Sequence, residues 1–342
     1  MLASDFHYDL PDEAIAQAAI EPRDASRLLV TSTGRDHLFG ELPALLEPGD
    51  LIVVNRTRVR AARIRGTKES GGAVEALLLR RLDPRRWEAL LRPARRLRPG
   101  ATIRFDGATG EVMTLPERGL VTLAIDADDD TETWLQRAGE VPLPPYFHGV
   151  LDDPERYQTI FARTLGSAAA PTAALHFTDV LVRRLTDAGV ELTEVDLEVG
   201  LDTFRPMAEG PISDHRIHTE RYVVPSDAAL AIEAARHRRS RVIAVGTTVL
   251  RTLETAAAAD GLVTAGTGHS DLFITPGYRR RVVDVLLTNF HAPGTTLIVL
   301  IAALLGPRWR TLYSTALQRG FRFLSFGDAM LIDDPIGGPV VS

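Results

Sequence analysis

The chain has 342 residues, 45% apolar and 25% charged, the composition of an ordinary globular protein and a length that predicts two domains. It contains no cysteine and a single lysine, Lys68, among 39 cationic residues. Thiolates, disulfides, iron–sulfur clusters and Cys-ligated zinc are excluded, a Schiff base would rest on Lys68 alone, and chemistry falls to oxygen and nitrogen groups.

At the start, MLASDFHYDL lacks a basic region followed by an apolar core, and the longest apolar run, Thr296 to Leu305, is too short to span a bilayer. A cytoplasmic protein is expected. Arg27 to Thr31 and Leu51 to Val54 read as strands, the second after the turn signal Glu47-Pro48-Gly49-Asp50. From Val59 to about Ile125 only strand-like stretches occur: Val74 to Leu79, Trp87 to Leu91, Ala101 to Phe105 and Leu120 to Ile125. Their spacing predicts a small antiparallel barrel or sandwich. The formal charge of −6 is uneven, because Arg56 to Arg104 holds fifteen basic against four acidic residues, a net of +11, and the remainder nets −17. A basic block of this kind can hold phosphates within an acidic whole.

The proline-dense Val141 to Tyr146 reads as a rigid connector. Beyond Pro171, Thr178 can cap a helix carrying Leu181, Val182 and Leu185, with Gly189 past its end. Strand-like Glu194 to Val199, a helix from Ser226 to about His237, a strand from Arg241 to Val245 and a helix containing Leu250 and Leu253 follow. The rhythm returns at Arg281 to Leu287 and Thr296 to Leu305. Alternating strands and helices predict a layered α/β domain. The expected architecture is an α/β domain built from both chain ends, 1–58 and 150–342, with an arginine-rich antiparallel β-barrel domain, 59–149, inserted between them.

Several loops could carry chemistry. PTAALHFT (171–178) sets His176 beside a helix start, where an imidazole's basicity can be tuned. HRIHTE brings His215, His218 and Glu220 within six residues, and a spacing of three would join the two imidazoles if the segment were helical. Gly246-Thr247-Thr248 lies where a strand gives way to a helix, a common ligand position, but it lacks the dinucleotide and Walker patterns. TNFHAPG (288–294) joins an amide, an aromatic face and an imidazole that could bind a nucleobase. Asp328 in FGDAM is expected to cap a turn.

In this order, FHYDLPDEAIAQ, EPRDASRLLV, PGDLIVVNRTRV, GGAVEALLL, PLPPY, DPERYQTIFA, PTAALHFT, HRIHTE, VIAVGTTVLRTLE, DLFITPGYR, VVDVLLTNFHAPGTTL and FGDAMLI resemble the S-adenosylmethionine:tRNA ribosyltransferase-isomerase family of queuosine biosynthesis, from about Asp5 to Ile332. The resemblance implies transfer and isomerisation of the ribosyl moiety of S-adenosylmethionine onto 7-aminomethyl-7-deazaguanine at the wobble position of tRNA, giving epoxyqueuosine and releasing adenine and methionine. It implies S-adenosylmethionine as co-substrate and a tRNA partner; no metal, no membrane and a monomer are expected. His176, His215, His218, Glu220 and His291 are the candidate acids and bases. Thr57, Arg58, Pro171, Thr172, Phe177, Gly246, Thr247, Thr248, Arg251, Glu254, Asn289 and Phe290 are the candidates for holding cofactor or base, and Arg92, Arg95, Arg96 and Arg98 for contacting RNA. Where the family has NDTRV this chain has NRTRV at Arg56; Glu198 and Asp202 replace a histidine and a glycine, Ala174 a glycine and Phe326 a tyrosine. Arg56 and Glu198 are expected either to face each other as a swapped pair or to face an altered substrate. A divergent paralogue acting on another nucleoside and a non-catalytic tRNA-binding protein are the alternatives.

Overall fold

The computed structural model describes residues 1–151, 153–200, 206–217 and 219–334. It falls into two compact units, one of Met1–Arg58, Pro144–Leu165 and Ala170–Ser342, the other of Val59–Leu143 with Gly166–Ala169.

The first unit is organised by a nine-stranded sheet. Its strands are β1 (Arg27–Val30), β2 (Arg35–Leu38) and β3 (Leu51–Asn55), then β10 (Glu191–Leu197), β11 (Glu220–Val224), β12 (Val242–Val245), β13 (Gly266–Ser270), β14 (Val285–Asn289) and β15 (Ala329–Ile332). Their spatial order is β13-β11-β10-β3-β12-β14-β15-β1-β2. The four middle strands, β10, β3, β12 and β14, run parallel. The flanking ladders are antiparallel except that of β1 with β15, which is parallel, so the sheet is mixed.

The central strands are continuous apolar runs because both of their faces are covered. Side chains alternate across the sheet. Leu51, Val53, Val242, Ala244 and Leu286 enter one core, whereas Ile52, Val54, Ile243, Val245 and Leu287 enter the other. The first core is closed by helices α3 (Ser226–His237), α4 (Thr247–Ala256), α5 (Thr296–Leu305) and α6 (Arg308–Gln318), and the second by α2 (Asp179–Asp187). Thr178 caps α2 as its sequence predicts, accepting from the Leu181 N–H at 3.0 Å. One expected element shifts and one was not foreseen. The strand expected at Arg281 to Leu287 begins only at Val285, and α6, with Trp309, Tyr313 and Ala316 inward, follows a Gly306-Pro307 turn that the periodicity left unread.

The second unit is a closed barrel of β4 (Arg63–Lys68), β5 (Ala73–Arg81), β6 (Arg86–Arg92), β7 (Thr102–Phe105), β8 (Ala108–Val112) and β9 (Leu120–Ala127), in the order β9-β6-β5-β4-β7-β8. All its ladders are antiparallel. Alternation sends Ile64, Val74, Ala76, Leu78, Trp87, Ala89, Leu91, Ile103, Val121 and Leu123 inward. Gly66 leaves room for Phe105, since a Cβ there would lie 2.6 Å from the ring. Helix α1 (Thr131–Ala138), unforeseen from sequence, is capped by Asp130 and plugs the core with Trp134 and Leu135.

Most arginines on this barrel are neutralised locally. Arg63 pairs with Glu75 at 2.8 Å, Arg80 with Glu88 at 2.9 Å, Arg81 with Asp130 at 2.6 Å and Arg85 with Asp126 at 3.1 Å. Arg92, Arg95, Arg96 and Arg98 differ. They cluster in the exposed connection from β6 to β7, pinned by buried Leu97, and among the described residues none meets a carboxylate.

Candidate functional site

The loops at the carboxyl ends of β12 and β14 diverge around a cavity of about 610 Å³, counted to its open mouth, within the first unit. Ligands collect at such strand ends because the first turns of following helices leave unpaired N–H donors there. Pro171, Thr172, Gly246, Thr247, Thr248, Asn289, Phe290 and His291 line it, so expected residues from three loops far apart along the chain meet around one space. Tyr146, Val199, Thr288, Leu324 and Ser325 line it as well. Sequence reasoning passed over these; the proline connector ending at Tyr146 and the residues preceding FGDAM were the available signals. No Asp, Glu, Lys or Arg lines the cavity among the described residues.

His176 stands one hydrogen bond behind the wall. Asn289 Nδ2 lies 3.0 Å from His176 Nε2 and 3.4 Å from the Asp328 carbonyl, which can only accept. The amide nitrogen therefore donates to both, His176 Nε2 accepts, and the ring proton sits on Nδ1, donating to Ser26 Oγ at 2.7 Å. The same orientation turns Asn289 Oδ1 toward Thr172, whose hydroxyl donates to it at 2.9 Å. Phe39 stacks on the imidazole, ring centroids 4.8 Å apart.

His291 reaches the cavity itself. Its Nε2 lies 3.0 Å from Thr288 Oγ1, its backbone N–H donates to Tyr313 at 3.2 Å, and its carbonyl accepts from Tyr8 at 2.5 Å. Nδ1 meets no partner among the described residues. Burial holds the pKa of both imidazoles down at about 3, with Arg156 and Arg322 adding to the effect at His176. Both rings are neutral at pH 7.

These shifts imply acid sensitivity. An unfolded histidine takes up its proton near pH 6.5, whereas the folded rings wait until about pH 3. Between those values the unfolded chain binds more protons, so stability is lost as pH falls from 6.5 toward 3. At pH 5 each ring is expected to cost about 2 kcal/mol. Urea midpoints at pH 7 and 5 measure this, and His176→Gln is expected to shrink their difference; an undiminished difference would refute the assignment.

Other expected residues lie elsewhere. Thr57 is buried, bonding Asn55 Oδ1 and the Leu197 carbonyl, both at 3.0 Å, and Arg58 pairs with Glu155. Phe177 is fully buried between Phe39 and Phe161. Arg251 and Glu220 form a buried ion pair at 2.5 Å, and Glu220 also accepts from Gly200 N–H at 3.3 Å, next to cavity-lining Val199. Glu254 accepts from Tyr278 and the backbone N–H groups of Arg281, Val282 and Val283. These carboxylates and the guanidinium are consumed by the protein, which explains why they are absent from the cavity wall.

The described residues of HRIHTE are not helical. A 3₁₀ turn, Ile212–Asp214, precedes it, His215 packs edge-on to Phe273 at 5.8 Å, and Glu220 opens β11, while His218 lies outside the described residues. Among the described residues no cluster of three His, Asp or Glu is arranged to hold a metal, and no helix is long and apolar enough to cross a membrane. Arg56 and Glu198 do not face each other. Arg56 binds Asp196 bidentately at 3.0 and 2.9 Å, and Glu198 pairs with Arg221 at 2.9 Å; neither lines the cavity, and Asp202 lies outside the described residues. Phe326 packs against Phe147 and Tyr157, and Asp328 caps two loops as expected, accepting from Arg27 and Arg322 N–H at 2.9 and 2.8 Å.

Comparison with known proteins gives concordant results. The family model described as queuosine biosynthesis protein matches residues 3–332. A protein of Symbiobacterium thermophilum named S-adenosylmethionine:tRNA ribosyltransferase-isomerase is 50% identical over 97% of this chain and 100% of its own length. A protein of Gloeobacter violaceus with the same name is 49% identical over 97% of this chain and 96% of its own. The crystal structure of S-adenosylmethionine tRNA ribosyltransferase from Thermotoga maritima is 34% identical and covers 96% of this chain and 99% of its own, with a TM-score of 0.53.

Proposed function

Since the chain belongs to the queuosine biosynthesis protein family, we propose that it acts as an S-adenosylmethionine-dependent tRNA ribosyltransferase-isomerase. The substrate is tRNA whose wobble base is 7-aminomethyl-7-deazaguanine. The ribosyl unit passes to the base's amine and is isomerised to the epoxycyclopentane of epoxyqueuosine, with release of adenine and methionine. The observation that carries this reading is the convergence of Thr172, Gly246 to Thr248, Asn289 and His291 on one cavity.

S-adenosylmethionine supplies a ribosyl group and a positive sulfur that acidifies the neighbouring C5′ hydrogens. The residues present fit it. With no charged side chain among the described residues of the wall, the Tyr146 ring and uncharged oxygens would face the sulfonium instead of a counter-ion. His291 is the proposed proton carrier at Nδ1, neutral and braced through Nε2 by Thr288. His176 acts through another group: as a positioning residue it fixes Asn289 so that Oδ1 and the Thr172 hydroxyl present acceptor lone pairs to a ribose or base donor. A single chain supplies all of these groups, which favours a monomer, and tRNA modification favours a cytoplasmic site.

Incubation with S-adenosylmethionine and precursor-bearing tRNA is the test. Adenine, methionine and an epoxyqueuosine wobble nucleoside are the expected products by mass analysis, and no adenine release with that tRNA would overturn the reading. Arg92, Arg95, Arg96 and Arg98 are proposed to hold tRNA phosphates. Changing all four to Ala is expected to weaken tRNA binding and flatten its log–log salt dependence by roughly 0.7–0.9 for each phosphate that is no longer neutralised, with S-adenosylmethionine binding intact. An unaltered salt slope would remove them from the interface.

A further inference from the structure

The first turn of α4 is built to receive an oxyanion, and we propose that it seats the carboxylate of the amino-acid tail of S-adenosylmethionine. This rests on the reading above. Gly246 precedes the helix with φ +93°, a conformation that side chains disfavour, and offers no side-chain cap. The first helical bond runs from Leu250 N–H to the Gly246 carbonyl at 3.2 Å. The N–H groups of Thr247, Thr248 and Val249 precede it and meet no acceptor among the described residues. Unpaired donors and the positive end of the helix dipole make such a turn attractive to an anion.

A second observation points to a ligand. Thr247 and Thr248 are 5% and 7% exposed and both line the cavity, and among the described residues neither hydroxyl bonds a protein group. What each leaves exposed is its hydroxyl at the cavity wall, free to donate to a ligand oxygen. Among the described residues the wall carries no Arg or Lys that could take a carboxylate in its place. The far half of α4 is also held in place: Glu254 clamps the 281–283 loop and Arg251 pairs with Glu220. The turn is therefore presented on an anchored helix, the preorganisation that lets dipolar donors bind charge without a counter-ion.

An oxyanion at this turn has two sources, the carboxylate of S-adenosylmethionine or a tRNA phosphate. Titration calorimetry of wild type, Thr248→Val and the double variant Thr247→Val/Thr248→Val separates them. The probes are S-adenosylmethionine, its decarboxylated form, 5′-methylthioadenosine and unmodified tRNA. Roughly tenfold weaker S-adenosylmethionine binding is expected per hydroxyl removed, the size of a charge-assisted hydrogen bond. Binding of the two ligands without a carboxylate should not change, and Thr248→Ser should restore affinity. Equal weakening of all three small ligands, or of none, overturns the proposal, as does weaker tRNA binding with S-adenosylmethionine affinity preserved. If wild type binds no S-adenosylmethionine at all, the functional reading fails first, which is a separable result. Should the double variant unfold, the Thr248→Val and Thr248→Ser pair decides alone.

Discussion

His291→Ala is expected to lower kcat by roughly 10² to 10⁴, the usual worth of a positioned proton-transfer group, while S-adenosylmethionine still binds. The ring lines the cavity, its Nε2 is braced by Thr288, and its carbonyl and N–H are tied to Tyr8 and Tyr313. Its orientation is thus set before substrate arrives. Because burial holds its pKa at about 3, His291 adds no ionisation limb to the pH–kcat profile at neutral pH. The prediction is a large loss of turnover without a change in profile shape. His176→Gln should behave differently. A residue working through Asn289 affects KM and kcat together, and Asn289→Ala should reproduce its effect without adding to it. Single-turnover adenine release across pH decides the matter. If His291→Ala leaves turnover close to wild type, the proton passes through another group.

Glu254→Ala is expected to be the most destabilising substitution considered. Its carboxylate accepts from Arg281 N–H at 2.8 Å, Val282 N–H at 3.1 Å, Val283 N–H at 3.0 Å and the Tyr278 hydroxyl at 3.0 Å, in a fully buried setting. Truncation leaves buried backbone donors unpaired, each costing about 1–3 kcal/mol, and removes the anchor of α4. A loss of about 3–6 kcal/mol is a large share of a typical stability of roughly 5–15 kcal/mol. Glu254→Gln should lie between, because one oxygen still accepts from Val282 and Val283 while the new amide opposes Arg281 N–H. Urea unfolding at pH 7 followed by circular dichroism measures both. A shift below about 1 kcal/mol for the alanine variant would show that the loop finds other acceptors.

The two substitutions mark where sequence reading stopped. Glu254 stood in a motif and looked like a ligand contact, yet its partners lie 24 to 29 residues away in a loop whose apolar Val282 and Val283 read as strand. Apolar character announces burial, but a strand also needs a neighbour in register, and β14 finds β12 only from Val285. The HRIHTE spacing misled similarly. A separation of three residues matters on a helix, whereas here β11 pairs with β10 and β13 and draws Glu220 into extended backbone beside Arg251.

What the sequence determined by itself was everything carried by short-range pattern. Short apolar runs alternating with helical segments indicated a layered α/β domain, the spacing of strand-like stretches indicated the barrel, Thr178 and Gly189 bounded α2, and a dozen motifs in order indicated the family. Only the tertiary structure decided which polar residues of those motifs face the cavity and which face the protein. Thr172, Asn289 and His291 reach the cavity, His176 supports Asn289 from behind, and Arg56, Glu198, Arg251 and Glu254 are taken up by distant partners. Local spacing cannot reveal this, because a buried charge takes its partner from whichever strand or loop the fold brings beside it, and that neighbour is set by strand order rather than by distance along the chain.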